Sequence, residues 1–324
     1  MENISNYIKF MRPFTLFPPM LGVISGSLTA FGSIHSQWPG FNSDLICLMT
    51  ISALAAALLN AASNAVNQIY DLDIDSINKP DRPLVKKTIS KKGAWIFTIF
   101  LYILSVLVTW PIVPVPGMSW DDRFFAPVAD HQAFFFYLIA AAFTLIYSIP
   151  ALGRTKRLTF GANLTIALPR GLFLKVAGWS VLVTIWHWEP WLIGSCFFFF
   201  LLGAASTKDF SDLEGDRFGG CYTLPMRYGV RTAAKLIAPS FVLPWLLIPL
   251  GLMIKVDGHP ILTGNPTLLL LLCLSLTAWG SYTIYLILRD PDALSTVENH
   301  PSWKHMYLMM LWAQIGFALA YLIQ

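Results

Sequence analysis

Charged side chains are scarce in this sequence. Only 12% of its 324 residues are Asp, Glu, Lys or Arg, while 56% are hydrophobic, and the mean hydropathy is +0.59. A soluble surface draws on about a quarter charged residues, so the composition excludes a conventional soluble domain and makes the bilayer the main solvent. Cysteine is sparse too. Cys47, Cys196, Cys221 and Cys273 form no C-x-x-C pair, which argues against a redox or zinc motif and leaves them as packing residues. The start, Met-Glu-Asn-Ile-Ser-Asn, lacks a basic stretch ahead of a cleavable apolar one, so the first span is expected to be retained. No polar linker separates two folds, and residues 1–324 read as a single membrane-embedded domain.

Apolar sequence is present instead, in lengths near the roughly 20 residues that carry a helix across the hydrocarbon core. The stretches lie near 13–34, 44–66, 93–114, 131–150, 160–186, 190–207, 232–254, 265–288 and 303–323. Backbone groups in lipid must be satisfied internally, and runs this long choose helices over a barrel. The expected fold is all-α, a polytopic membrane protein of about nine transmembrane helices. With the N-terminus in the cytoplasm, 18 of the 22 Lys and Arg residues fall inside, Arg123 and Lys255 fall outside, and Arg170 and Lys175 lie within a span. That asymmetry predicts an inside N-terminus and an outside C-terminus, in the inner membrane if the host is bacterial. The net charge of +4 thus reports topology, and nucleic acid is not an expected partner.

Two acidic clusters follow even-numbered spans. In the first, Asn64, Asn67, Asp71 and Asp75 are spaced by three, four and four, which places them on one helical face if the second span continues past the membrane. In the second, Asp209, Asp212 and Asp216 are spaced by three and four. Asp73 and Glu214 fall off these faces. Superimposing Asp71 on Asp212 aligns Asp-Leu-Asp-Ile-Asp with Asp-Leu-Glu-Gly-Asp, suggesting two related four-helix halves plus a ninth helix, with a site at their interface.

Like charges at this spacing repel, so a cation should offset them. Oxygen-only donors suit Mg²⁺, which binds through one or two carboxylates together with phosphate oxygens. A single acidic run would read as a solvated loop, but two runs at cytoplasmic helix ends point to a diphosphate held between two metal ions. Arg82, Lys156, Arg157 and Lys208 lie on the same side, where a charged leaving group needs donors. Arg170 and Lys175 differ, because a lone charge within a span costs at least about 2.5 kcal/mol. Pro169 and Gly171 flank Arg170 and weaken the helix there, so a polar chamber at a bend is expected. Lys175 either faces that chamber or snorkels to the surface.

These residues resemble the UbiA superfamily of intramembrane prenyltransferases. Asn67, Asp71 and Asp75 match its N-x-x-x-D-x-x-x-D motif, continued by Asn78-Lys79-Pro80-Asp81-Arg82-Pro83. Asp209, Asp212 and Asp216 match its D-x-x-D-x-x-x-D motif, followed by Thr223-Leu224-Pro225 and Tyr228-Gly229. Arg12-Pro13 and Tyr147-Ser148 are weaker matches, and the last three helices match only as hydrophobic spans. The resemblance implies that Asp71, Asp75, Asp209, Asp212 and Asp216 hold Mg²⁺ against an isoprenyl diphosphate, with Asn67 in support, and that the prenyl group passes to a lipophilic acceptor, aromatic or a lipid precursor. Arg12, Tyr147 and Arg170 are the candidates to bind that acceptor. A terpene cyclase on the same scaffold would keep the metal motifs and need no acceptor. A secondary transporter would place its acidic residues nearer the midplane.

Overall fold

The computed structural model describes residues 3–297 and 300–323, apart from the side chain of Asn78. Helices account for nearly all of the ordered secondary structure. The first half holds α1 (Ile4–Met11), α2 (Phe17–Phe31), α3 (Ser43–Tyr70), α4 (Leu72–Asn78), α5 (Lys91–Leu107), α6 (Trp120–Phe124), α7 (Gln132–Ser148), α8 (Thr159–Ala167) and α9 (Leu174–Trp179). The second holds α10 (Trp188–Ala204), α11 (Leu213–Phe218), α12 (Leu224–Tyr228), α13 (Val230–Ile237), α14 (Leu247–Met253), α15 (Pro266–Arg289), α16 (Ala293–Thr296) and α17 (Pro301–Leu322). The all-α expectation omits one detail, a two-residue antiparallel hairpin of Lys255–Val256 with His259–Pro260.

Among the described residues, six helical segments are long and apolar enough to cross a bilayer: Pro13–Phe31, Ser43–Tyr70, Trp188–Lys208, Val230–Met253, Pro266–Arg289 and Pro301–Leu322. The predicted stretches at 93–114 and 131–150 contain the shorter helices α5 and α7, of 17 residues each. The stretch at 160–186 is broken. Its two short helices, α8 and α9, are joined by a π-helical turn at Leu168–Phe173, where Pro169 removes a backbone donor.

Packing shows what solvates this surface. On α5, Ile96, Ile99, Phe100, Ile103 and Leu107 are each more than half exposed and recur at helical spacing, an apolar stripe that lipid would cover and water would penalise. The protein is an integral membrane protein by that composition. The buried core falls into one large cluster drawn from residues 167–321, centred on Phe197, Phe200, Phe241 and Trp245, and smaller clusters drawn from residues 10–183. At Gly26 and Gly178, α2 and α9 meet backbone to backbone: a Cβ on Gly26 would lie 2.9 Å from the Gly178 Cα, so only small residues permit the approach. Cys196 and Cys273 pack in the core, Cys221 is also buried, and Cys47 is exposed.

Candidate active site

The C-terminal end of α3 is tied to the N-terminal segment by amides at four-residue intervals. Asn64 Nδ2 donates to the Met11 carbonyl at 2.9 Å and to Thr15 Oγ1 at 2.7 Å. Asn60 and Gln68 make matching bonds to the Thr15 and Phe10 carbonyls. This ladder fixes Arg12, in the left-handed region at φ 58°, at the rim of a cavity of about 350 Å³, a size typical of ligand sites.

The same cavity is lined by all five predicted aspartates, by Asn67, Arg82, Lys156 and Lys208, and by Arg12, Tyr147 and Arg170. Arg157 is not brought to it. The tight turn at Thr155–Arg157 sends consecutive side chains apart, so Lys156 is buried while Arg157 is exposed over a separate shallow depression with Tyr222 and Arg227. The second cluster also departs from the expected continuous helix. A 3₁₀ turn ends at Lys208, and α11 begins only at Leu213, with Asp212 as its N-cap. Asp71 and Asp212 nevertheless share one backbone conformation, φ −102° with ψ 16° and 15°. Helices α4 and α11, which follow them, pack against each other; a Cβ on Gly219 would fall 2.3 Å from the Ile74 Cδ1. Asp73 and Glu214 are exposed, off the site.

Charge is compensated unevenly. Asp71 accepts from Arg154 at 2.8 Å and pairs with Lys156 through its other oxygen. Arg82 pairs with Asp75, and Lys79 Nζ lies 3.8 Å from Asp212 Oδ1. Asp209 and Asp216 make no ion pair among the described residues. Burial, then Asp216, pushes the Asp209 carboxyl up to about 8; burial, then Asp212, pushes Asp216 up to about 7. These half-buried carboxyls have no basic partner within ion-pair distance among the described residues, and an all-oxygen donor set fits Mg²⁺. Among the described residues no three acidic, histidine or cysteine side chains close into a preformed metal cage.

Arg170 lies on the π-helical turn and donates to Asn60 Oδ1 at 3.3 Å. Lys175 does not snorkel. It is 2% exposed, donates to Ser25 Oγ at 2.7 Å and stands 4.9 Å from the Phe197 ring centroid. Two parts of the site escaped the sequence reading. Arg154, which counted only as a topological charge, also donates to the Tyr70 carbonyl at 3.0 Å. In α17, Trp303, Met306, Tyr307 and Met310 line the cavity, and their i, i+3, i+4, i+7 spacing was a visible signal.

A profile of the UbiA prenyltransferase family matches residues 25–297. The chain belongs to the UbiA prenyltransferase family. Digeranylgeranylglyceryl phosphate synthase of Methanococcus aeolicus is 28% identical to it over 266 residues, 80% of this chain and 81% of that one. A 2-acyl-4-prenylphloroglucinol 6-prenyltransferase of Humulus lupulus is 30% identical over 251 residues, 74% of this chain and 55% of that one. A UbiA homologue from Archaeoglobus fulgidus, solved bound to GPP and Mg²⁺, shares the fold with a TM-score of 0.66 at 20% identity, covering 96% of this chain and 99% of that one. As a UbiA-family prenyltransferase the chain is an enzyme, which sets the transporter reading aside.

Proposed function

We propose that this UbiA-family enzyme transfers a prenyl group from an isoprenyl diphosphate to a lipophilic acceptor within the membrane, with Mg²⁺ held by Asp71, Asp75, Asp209, Asp212 and Asp216. The observation that carries the reading is the convergence of both aspartate clusters and their basic neighbours on one cavity that continues between apolar helices. Bound Mg²⁺ would supply Lewis-acid stabilisation of the departing diphosphate. The chain's own residues do the rest. Arg82 and Lys156, now paired with Asp75 and Asp71, would move to the diphosphate oxygens, joined by Lys208, and Asn67 would orient the first cluster. As the allylic carbon–oxygen bond breaks, the electron pair leaves with the diphosphate and positive charge remains on the prenyl carbon. Tyr147, Phe173, Trp303 and Tyr307 border the cavity and would stabilise such a cation through their aromatic faces, while apolar walls would keep water from capturing it. The acceptor then attacks and loses a proton.

Arg12 and Arg170 make no ion pair among the described residues, yet both border the cavity. They favour an acceptor with an anionic or strongly polar group over a cyclase, which needs no such partner. The wider architecture fits nine spans, counting α5, α7 and the broken α8–α9 segment. Two four-helix halves within one domain, related through Asp71 and Asp212, would carry the site between them, and the N-terminus would be cytoplasmic. The test is incubation of the purified protein in nanodiscs with geranyl, farnesyl and geranylgeranyl diphosphates, with and without a panel of phenolic and glycerol phosphate acceptors. Prenylated acceptor that vanishes with chelator is expected. Diphosphate release yielding a cyclic hydrocarbon from donor alone would replace transfer by cyclisation.

A further inference from the structure

The cavity follows α3 from Asp71 to Ala56, an interval of about 22 Å at the helical rise. The carboxylates and lysines gather at the Asp71 end, and Arg170, bonded to Asn60, is the deepest charge along this wall. The far end is made of Ala56, Ala140, Ala177, Phe136 and Tyr137, and it is closed. The Tyr137 hydroxyl donates to the Ser52 carbonyl, one turn below Ala56, and sits 3.1 Å from Ser52 Oγ. Phe136 is braced by Phe173 and Trp191, with ring centroids 5.8 and 5.9 Å away. Beyond this layer Ala53, Ala133 and Val181 are no more than 3% exposed, and the contact of Gly26 with Gly178 leaves no passage between α2 and α9.

We infer that Tyr137, backed by Phe136, is a floor that limits the donor's prenyl tail to about four isoprene units. An isoprene unit adds four chain bonds of about 1.5 Å, or about 5 Å when extended, so four units reach the floor from a diphosphate at the aspartates. Because the Tyr137 hydroxyl is held by Ser52 on a neighbouring helix, the ring cannot swing aside without leaving a buried polar group unpaired. The inference rests on the prenyl-transfer reading and names the donor class for that same site.

Binding of prenyl diphosphates with Mg²⁺ to the full chain in nanodiscs tests it without any acceptor. Affinity should rise from geranyl to geranylgeranyl diphosphate and fall at least about tenfold for a six-unit donor, the scale of a steric misfit in an apolar pocket. Tyr137→Ala should restore six-unit binding. Ala56→Leu, which raises the floor from the opposite wall, should shift the fall to geranylgeranyl diphosphate, so the two variants move the limit in opposite directions. Equal wild-type affinity along the series, or a limit that neither variant moves, would overturn the floor alone, since the tail would then leave sideways into lipid. A folded wild type that binds no prenyl diphosphate would overturn the transfer reading together with the floor.

Discussion

Asp71 holds two bases at once, Arg154 and Lys156, and only Lys156 borders the cavity. Arg154 is therefore placed to orient the carboxylate from behind while Lys156 is free to change partner. Arg154→Ala should raise the Mg²⁺ concentration for half-maximal transfer about tenfold, as loss of an outer-shell partner does; an unchanged requirement would remove the positioning role. Asp71→Ala and Asp212→Ala should each lower turnover at least about a hundredfold. The double variant should be scarcely worse than either single one, because groups serving one site act as a unit. Acidity adds a third expectation. Asp209 and Asp216, raised to about 8 and about 7, hold protons in the folded state that the unfolded chain releases near its ordinary value of about 4. Metal-free stability should therefore fall as pH rises from about 4 to about 8, and Mg²⁺ should restore most at the alkaline end. Thermal scans in chelator at pH 6 and pH 8.5 check the sign. The aspartates were legible because their spacing is distinctive. Arg154 was not, because a loop arginine carries the same topological signal as its neighbours and only the turn at Gly153, φ 102°, aims it inward.

At the scale of elements, hydropathy located the long helices but missed how the segment at 160–186 is built. Averaging over a window hides the π-helical turn, although Pro169 and Gly171 marked the weak point. The turn matters because it carries Arg170 into the cavity and lets α9 close against α2. Gly178→Leu tests that closure. Its Cβ would lie 2.5 Å from the Val23 carbonyl oxygen, so overpacking of about 1–3 kcal/mol should lower the melting temperature measured in detergent. Helix α17 shows the opposite failure. Its spacing of Trp303, Met306, Tyr307 and Met310 was visible, but an aromatic face on an apolar helix reads the same whether it meets lipid, core or cavity.

For the whole molecule, the distribution of basic residues predicts that loops 67–92 and 208–231 face the cytoplasm, and cysteine labelling from each side checks it. Labelling near the C-terminus should come from the opposite side; Gln324 itself lies outside the described residues. The burial of Lys175 has a further consequence, for how the chain enters the membrane. A segment carrying both Arg170 and Lys175 within an apolar stretch is penalised by up to about 2.5–3.5 kcal/mol for each charge when a translocon presents it alone. Its first polar partners, Ser25 for Lys175 and Asn60 for Arg170, stand earlier in the chain and would already be in place when it emerges from the ribosome. Residues 159–186 fused to a reporter should thus integrate poorly by themselves and efficiently behind residues 1–158, making biogenesis of this enzyme dependent on synthesis order.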